Sequence, residues 1–314
     1  MGKKIISYII PCYRSEKTIE SVAAEVKEAA LKLEGFDYEL ILVNDCSPDD
    51  TLNVIKRISD SDDHVTVVDF ARNFGQHAAL MAGLRQSKGD ICICLDDDGQ
   101  TPPSESIKLV KAIEDGADAA YARYGKKKHS LFRNFGSMMN EEMARFMLGK
   151  PKDLFVSSYF AVNRMVVNEM IRYENSYPYV IGLVLRTTKS IVNVDVEHKK
   201  REIGESGYTF SKLINLWMNG FTAFSIKPLR VATCLGGISA ALGFIYGIIV
   251  VIQKFVLPDR MLGYSSLMAV LIFFGGMIMI MLGLIGEYVG RLYICMNAYP
   301  QYVIKEIYGN SEES

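Results

Sequence analysis

The chain has 314 residues and a formal net charge of −1, which allows one large domain with an appendage and leaves no charge excess for a nucleic-acid partner. Its six cysteines (Cys12, Cys46, Cys92, Cys94, Cys234 and Cys295) contain no C-x-x-C pair, so they read as reduced, small apolar residues rather than a disulfide or zinc framework. Its apolar residues crowd toward the C-terminal half, which excludes a uniformly soluble chain.

The N-terminal part alternates strand and helix signals. Strands are predicted over Ile5–Pro11, Tyr38–Asp45, Val65–Phe70 and Asp90–Leu95, with helices over Thr18–Leu33, Asp49–Ser59 and Gln76–Gln86 between them. Continuous apolar strands separated by helices imply an α/β domain with a mostly parallel, Rossmann-like sheet covered on both faces. No G-x-G-x-x-G follows the first strand, so the phosphate loop of a dehydrogenase-type dinucleotide fold is missing. The basic pair Lys3-Lys4 precedes an apolar stretch that stops at Pro11 without a small-residue cleavage site, and the domain is expected to be cytosolic.

Open sheets of this kind bind ligands beyond the carboxyl ends of their strands. Those ends carry Pro11-Cys12-Tyr13-Arg14-Ser15-Glu16, Asn44-Asp45-Cys46-Ser47 and Asp96-Asp97-Asp98-Gly99-Gln100. Three consecutive carboxylates offer hard oxygen ligands to a divalent cation, although a solvated acidic turn would use the same residues. Strand alternation puts Asp96 and Asp98 on one side and Asp97 on the other.

Further along, Lys126-Lys127-Lys128 reads as a basic loop near anionic lipid, and Phe210 to Phe224, with Trp217, as an interfacial amphipathic helix. Val231 to Ile252 and Gly263 to Gly286 are 22 and 24 residues without a charge, each long enough as a helix to cross a hydrocarbon core of about 30 Å. A short connection makes them a transmembrane hairpin. Lys227, Arg230 and Arg291 favour a cytosolic start and finish, against Lys254 and Arg260 in the connection. The expected domains are 1–209 catalytic, 210–230 interfacial, 231–286 two membrane helices and 287–314 a cytosolic tail. Gly236-Gly237 and Gly275-Gly276 allow close helix approach, which provides for a homo-oligomer.

The motifs at the strand ends, together with Arg72-Asn73-Phe74-Gly75-Gln76 and Ala82-Gly83-Leu84, resemble glycosyltransferase family 2 with the GT-A fold. His198 to Tyr208, Phe224 to Arg230 and Gly286 to Arg291 around the two spans narrow the resemblance to the polyprenyl-phosphate glycosyltransferases. It covers nearly the whole chain. It implies metal-dependent, inverting transfer of a sugar from a nucleotide sugar, a UDP-sugar, to a polyprenyl phosphate, undecaprenyl phosphate, at the cytosolic face of the inner membrane for cell-envelope glycan or lipid modification.

Residue by residue, the resemblance implies that Asp98 and Gln100, with Asp96, hold Mg²⁺ or Mn²⁺ on the donor diphosphate, and that Asp97 occupies a variable position. Pro11, Tyr13, Glu16, Asp45, Asp96 and Asp97 fall on the nucleotide-binding segments: an aromatic to pack on the base, carboxylates for N–H and hydroxyl donors. A charge at a helix N-terminus is the competing reading of Glu16. Arg123, Arg133 and Ser137 are the candidates for the acceptor phosphate, Arg133 and Ser137 at i and i+4. Arg201 and Ser206 resemble the loop that closes over the diphosphate, which makes Asp96, Asp98 and Arg201 the expected catalytic set. Two departures stand out: Ser157-Ser158-Tyr159-Phe160-Ala161-Val162-Asn163-Arg164 where many members carry an Asp-containing segment, and Gly207 where Lys is common. A GT-A transferase acting on another membrane-associated acceptor and a non-catalytic membrane scaffold are the alternatives. Retention of the aspartates speaks against the scaffold.

Overall fold

A computed structural model describes residues 3–124, 151, 153–197, 227–256, 264–297 and 299–309. The chain divides into two compact units, one made of 1–209 with 298–314 and the other of 210–297.

The first unit is built on an eight-stranded sheet. In chain order its elements are β1 (Lys4–Cys12), α1 (Ile19–Leu31), β2 (Phe36–Asn44), α2 (Thr51–Ser61), β3 (Val65–Phe70), α3 (Gln76–Gln86) and β4 (Ile91–Cys94), followed by α4 (Ser106–Glu114), β5 (Ala119–Tyr124), β6 (Phe160–Asn163), α5 (Arg164–Ile171), α6 (Val180–Thr187), β7 (Ile191–Val196) and, from the far C-terminus, β8 (Ile304–Gly309). The strand order is β7-β5-β6-β4-β1-β2-β3-β8. β1 runs parallel to β2 and β4, and β2 to β3; β6 and β8 are antiparallel to their neighbours.

Every residue of β1 from Ile6 to Cys12 is buried, as a central strand covered on both faces requires. α1 buries Ile19, Val22, Ala23, Val26, Ala29 and Ala30, the three-and-four spacing of one helical face, against this sheet. The sequence-predicted strands and helices of the first 95 residues all form, and β3 and α3 keep the predicted bounds. The elements from α4 to β7 and the last strand were not foreseen. Residues assigned to a tail supply β8, paired from Thr66↔Gly309 to Phe70↔Ile304 along the edge of β3.

The second unit contains two long helices, α7 (Lys227–Val256) and α8 (Tyr264–Met296), both longer than the charge-free stretches read from the sequence. Phe273–Met296 is long and apolar enough to cross a membrane, and Ala232–Tyr246 is a shorter apolar helical stretch. Leu242, Phe244, Met279 and Ile280 are exposed, as residues facing an apolar solvent would be. Ser239 on α7 meets the sulfur of Met277 on α8 at 3.8 Å.

Candidate active site

The parallel register sets the site. Pairing of Cys12 with Asn44, of Asn44 with Asp69 and of Ile9 with Cys94 brings the carboxyl ends of β1, β2, β3 and β4 to one edge, so the loops that follow them share one surface.

The loops after β1 and β2 are laced together. The Asp45 amide donates to the Cys12 carbonyl at 3.0 Å, the Arg14 amide to the Ser47 hydroxyl at 3.2 Å and the Ser15 amide to the Thr51 hydroxyl at 2.9 Å. Arg14 and Cys46 adopt positive φ, +60° and +53°, the two non-glycine residues described in that region of backbone space. Such conformations cost on the order of 1–3 kcal/mol each and persist where surroundings impose them, commonly at functional sites. The Glu16 carboxylate accepts from the Asp50 amide at 3.0 Å, at the start of α2. The charge-at-a-helix-terminus reading of this residue therefore describes its contact, on α2 rather than on α1.

β4 hands the chain to the carboxylates. Asp97 takes two donors on a single oxygen, Oδ2: the Tyr13 amide at 3.1 Å and the Ser15 hydroxyl. It thereby ties the β1 loop to the end of β4, and Tyr13 next to it is 44% exposed, with the Arg14 guanidinium 5.4 Å from its ring centre. Asp96 points elsewhere and uses both oxygens, Oδ1 for the Gln76 side-chain amide at 2.8 Å and Oδ2 for the Ser158 hydroxyl. Burial pushes the Asp96 carboxyl up to about 6; the Ser158 and Gln76 hydrogen bonds oppose the rise and the charges of Asp98 and Asp97 add to it. Asp97 is likewise raised, mainly by burial. Asp98 accepts the Gln100 amide at 3.0 Å across Gly99, whose φ of +69° a side chain would strain, so Asp98-Gly99-Gln100 forms a local turn.

Asp45 is buried at 4% exposure, and its two oxygens receive the Phe74 and Gly75 amides at 2.7 and 2.8 Å. The sequence reading gave this carboxylate to the nucleotide. In the structure both oxygens are taken by the loop after β3, which Asp45 braces at the left-handed Gly75 where α3 begins. Pro11 is buried in β1 opposite Val43.

Arg123, read as an acceptor-phosphate ligand, forks onto Asp195 of β7 through Nε (2.7 Å) and Nη2 (3.0 Å), so its guanidinium is already engaged. Arg133, Ser137, Arg201 and Ser206 lie outside the described residues, as do 210–226 of the interfacial segment. The sequence reading named Asp96 and missed the two residues that orient it. Gln76 sits at the end of the Arg72-to-Gln76 motif, a signal that was visible without an assigned role. Ser158 stands in the very segment where an acid was expected, and its hydroxyl meets a carboxylate instead. Among the described residues no group of three His, Cys, Asp or Glu side chains forms a metal cage.

A family model, Glycosyl transferase family 2, matches residues 7–171, and a second, the GtrB C-terminal hairpin, matches 227–292. The chain is 32% identical over 98% of its length to the undecaprenyl-phosphate 4-deoxy-4-formamido-L-arabinose transferase of Photorhabdus laumondii, covering 96% of that protein. It is 33% identical over 98% of its length to the Yersinia enterocolitica protein of the same name, covering 94% of it. Among solved structures, glucosyl-3-phosphoglycerate synthase of Mycobacterium tuberculosis in complex with Mn²⁺, UDP-glucose and phosphoglyceric acid shares the fold, with a TM-score of 0.53 and 18% identity over 69% of this chain and 78% of that one.

Proposed function

This chain belongs to glycosyl transferase family 2, and we propose that it transfers a sugar from a UDP-sugar to undecaprenyl phosphate at the cytosolic face of the inner membrane, with inversion at the anomeric carbon. The observation that carries this reading is the convergence at one sheet edge of an exposed aromatic, Tyr13, with the oxygen-rich turn Asp96–Gln100, both held by Asp97. The names of the similar transferases supply the lipid phosphate.

Asp96, Asp98 and Gln100 provide oxygen donors alone, the set that suits Mg²⁺ or Mn²⁺. Burial, more than repulsion among the three carboxylates, holds Asp96 and Asp97 above their usual range, and a divalent cation beside them would favour their charged forms. When bound, the cation would neutralise the departing nucleoside diphosphate. The protein's own work is orientation. Gln76 and Ser158 fix both oxygens of Asp96, the Asp98–Gln100 turn is set by Gly99, and Asp97 keeps Tyr13 in place for the base.

A phosphate monoester has its second pKa near 6, so the acceptor is an anion at neutral pH and attacks the anomeric carbon without a strong base. One displacement from the face opposite the leaving diphosphate inverts the centre. Attack forms the bond between phosphate oxygen and anomeric carbon while the bond to the nucleoside diphosphate breaks.

Connectivity supports two crossings. β8 hydrogen-bonds into the same sheet as β1, which favours an even number of passes between them. Phe273–Met296 is long and apolar enough to span, and in this reading α7, with the shorter apolar stretch Ala232–Tyr246, makes the other pass. The test of the whole reading is to incubate the full-length protein with a panel of radiolabelled nucleotide sugars and undecaprenyl phosphate. A labelled lipid formed from a UDP-sugar, with the anomer opposite to the donor by proton coupling, is expected. Label that never enters lipid, or a retained anomer, counts against it.

A further inference from the structure

The segment that follows α8 reaches the loop after β3 at several points. The Ala71 amide donates to the Val303 carbonyl at 2.9 Å, and Tyr302 stacks on Phe70 with ring centres 5.2 Å apart and planes within 9°. Phe70 in turn meets Phe74 edge to face at 5.7 Å. Arg72 bridges two rings: its guanidinium lies 4.6 Å from the centre of Phe74 and 5.4 Å from that of Tyr299, and it donates a hydrogen bond to the Tyr299 hydroxyl. Tyr299 is itself anchored, since its carbonyl accepts the Ser176 hydroxyl at 2.6 Å, and Gln301 beside it is buried and donates to the Tyr173 and Asn175 carbonyls.

Two routes lead from this segment into the laced loops. Loop 71–75 ends in the Phe74 and Gly75 amides that clasp Asp45. Lys305 faces buried Asp69 at 3.9 Å; Asp69 accepts the Asn44 side-chain amide at 2.7 Å, and Asn44 accepts the Ser47 amide. A guanidinium held over one aromatic ring and bonded to the hydroxyl of a second is planar and directional, so it fixes a loop more closely than a surface ion pair does.

We propose that the segment beginning at Tyr299 is a strap that sets the donor loops, and that Tyr299 is a positioning residue: by holding Arg72 against Phe74 it fixes loop 71–75 for a nucleoside diphosphate. The inference rests on the nucleotide-sugar reading above. It makes donor binding depend on residues from the opposite end of the chain, brought in only after the helical hairpin. A strap with a purely structural role would instead lower stability and leave the balance between donor and acceptor unchanged.

The test uses the full-length protein with Tyr299→Ala, Tyr299→Phe and Arg72→Lys, and Glu306→Ala as a control at the far end of the same segment, where Glu306 pairs with Lys56. Four quantities are read: amide exchange at Phe74 and Gly75, UDP affinity, and the KM for UDP-sugar and for lipid phosphate separately. Tyr299→Ala should speed exchange at both amides and raise the donor KM about fivefold, with lipid KM and kcat at saturating donor within about twofold. Tyr299→Phe keeps the ring but loses the hydroxyl that accepts from Arg72 and should shift in the same direction by a smaller amount, whereas Arg72→Lys loses the planar contact and should resemble Tyr299→Ala. Glu306→Ala should move none of them. Unchanged donor KM in Tyr299→Ala, or donor and lipid KM rising together, overturns the proposal; should Tyr299→Ala not fold, Arg72→Lys decides by the same readings. Absence of UDP binding in the unaltered protein would instead sink the nucleotide reading itself.

Discussion

Replacing each of the three consecutive aspartates by asparagine should give three different proteins, because the hydrogen-bond geometry of each carboxylate is different. Asp97 receives both of its donors, the Tyr13 amide and the Ser15 hydroxyl, on one oxygen. An asparagine with its carbonyl in that place keeps both bonds. Each falls from a charge-assisted bond worth about 1.5–3 kcal/mol to a neutral one worth about 0.5–1.5 kcal/mol. Relief of burial and of repulsion from Asp98, the influences that raise the Asp97 pKa, offsets much of that loss. Asp97→Asn should therefore cost at most about 1 kcal/mol of stability and lower turnover less than about tenfold. Asp96 receives Gln76 on one oxygen and Ser158 on the other, so an asparagine keeps both contacts only by turning its NH₂ to the Ser158 hydroxyl, which must reverse from donor to acceptor. Asp96→Asn should cost about 1 kcal/mol of stability, as both bonds lose their charge assistance, and most activity through loss of the carboxylate proposed for the cation. Asp98→Asn, which removes charge where the cation on the diphosphate is proposed to sit, should fold normally and lose roughly 100- to 1,000-fold in turnover. Thermal melts with and without Mn²⁺, together with initial rates on lipid phosphate, separate the three. Equal loss of turnover in well-folded Asp97→Asn and Asp98→Asn, or full activity in Asp98→Asn, would refute the reasoning.

Away from the site, Asp62 is a pH probe: burial alone would raise its pKa, but Lys27 at 2.7 Å, the His64 amide at 3.0 Å and the Tyr38 hydroxyl at 2.8 Å together lower it. A depressed carboxyl stabilises above its unfolded pKa of about 3.9 and loses that contribution as pH falls through the folded value, so the stability gap between the unaltered protein and Asp62→Asn should hold steady from pH 5 to 8 and shrink below about pH 4 in denaturant titrations. For topology, a cysteine placed at Pro258 should react with an impermeant reagent from outside the cell, and a reporter fused behind Gly309 should stay inside; an external reading behind Gly309 contradicts two crossings. Arg133→Ala should raise the lipid-phosphate requirement in detergent and leave UDP-sugar binding unaltered, and an unchanged lipid dependence would remove Arg133 from the acceptor site.

Much of the sheet was legible because its central strands are buried on both faces and read as unbroken apolar runs, with Gly75 and the Asp-rich turn marking where the chain leaves it. Which strand ends would meet at one edge also followed, since parallel strands place all their carboxyl ends together. The direction of each side chain did not. Asp45 and Asp97 look alike in the sequence, yet one clasps amides from the loop after β3 and the other holds the loop after β1, choices made by register across neighbouring strands. Alternation correctly separated Asp97 from Asp96, but it had no access to Gln76 or Ser158, which lie 20 and 62 residues away in sequence. β8 was the hardest element to see. Ile304–Gly309 is a six-residue edge strand carrying Lys305 and Glu306, short and charged as edge strands are, and β3, its hydrogen-bonded strand partner among the described residues, lies more than two hundred residues earlier. Local propensity cannot encode such a pairing. What specifies it is the fit of particular side chains, Tyr302 on Phe70, Lys305 toward Asp69 and Lys56 onto Glu306, each meaningful only after β3 and α2 have formed. The last strand of the sheet is therefore expected to dock late, on a surface that the N-terminal elements have already built.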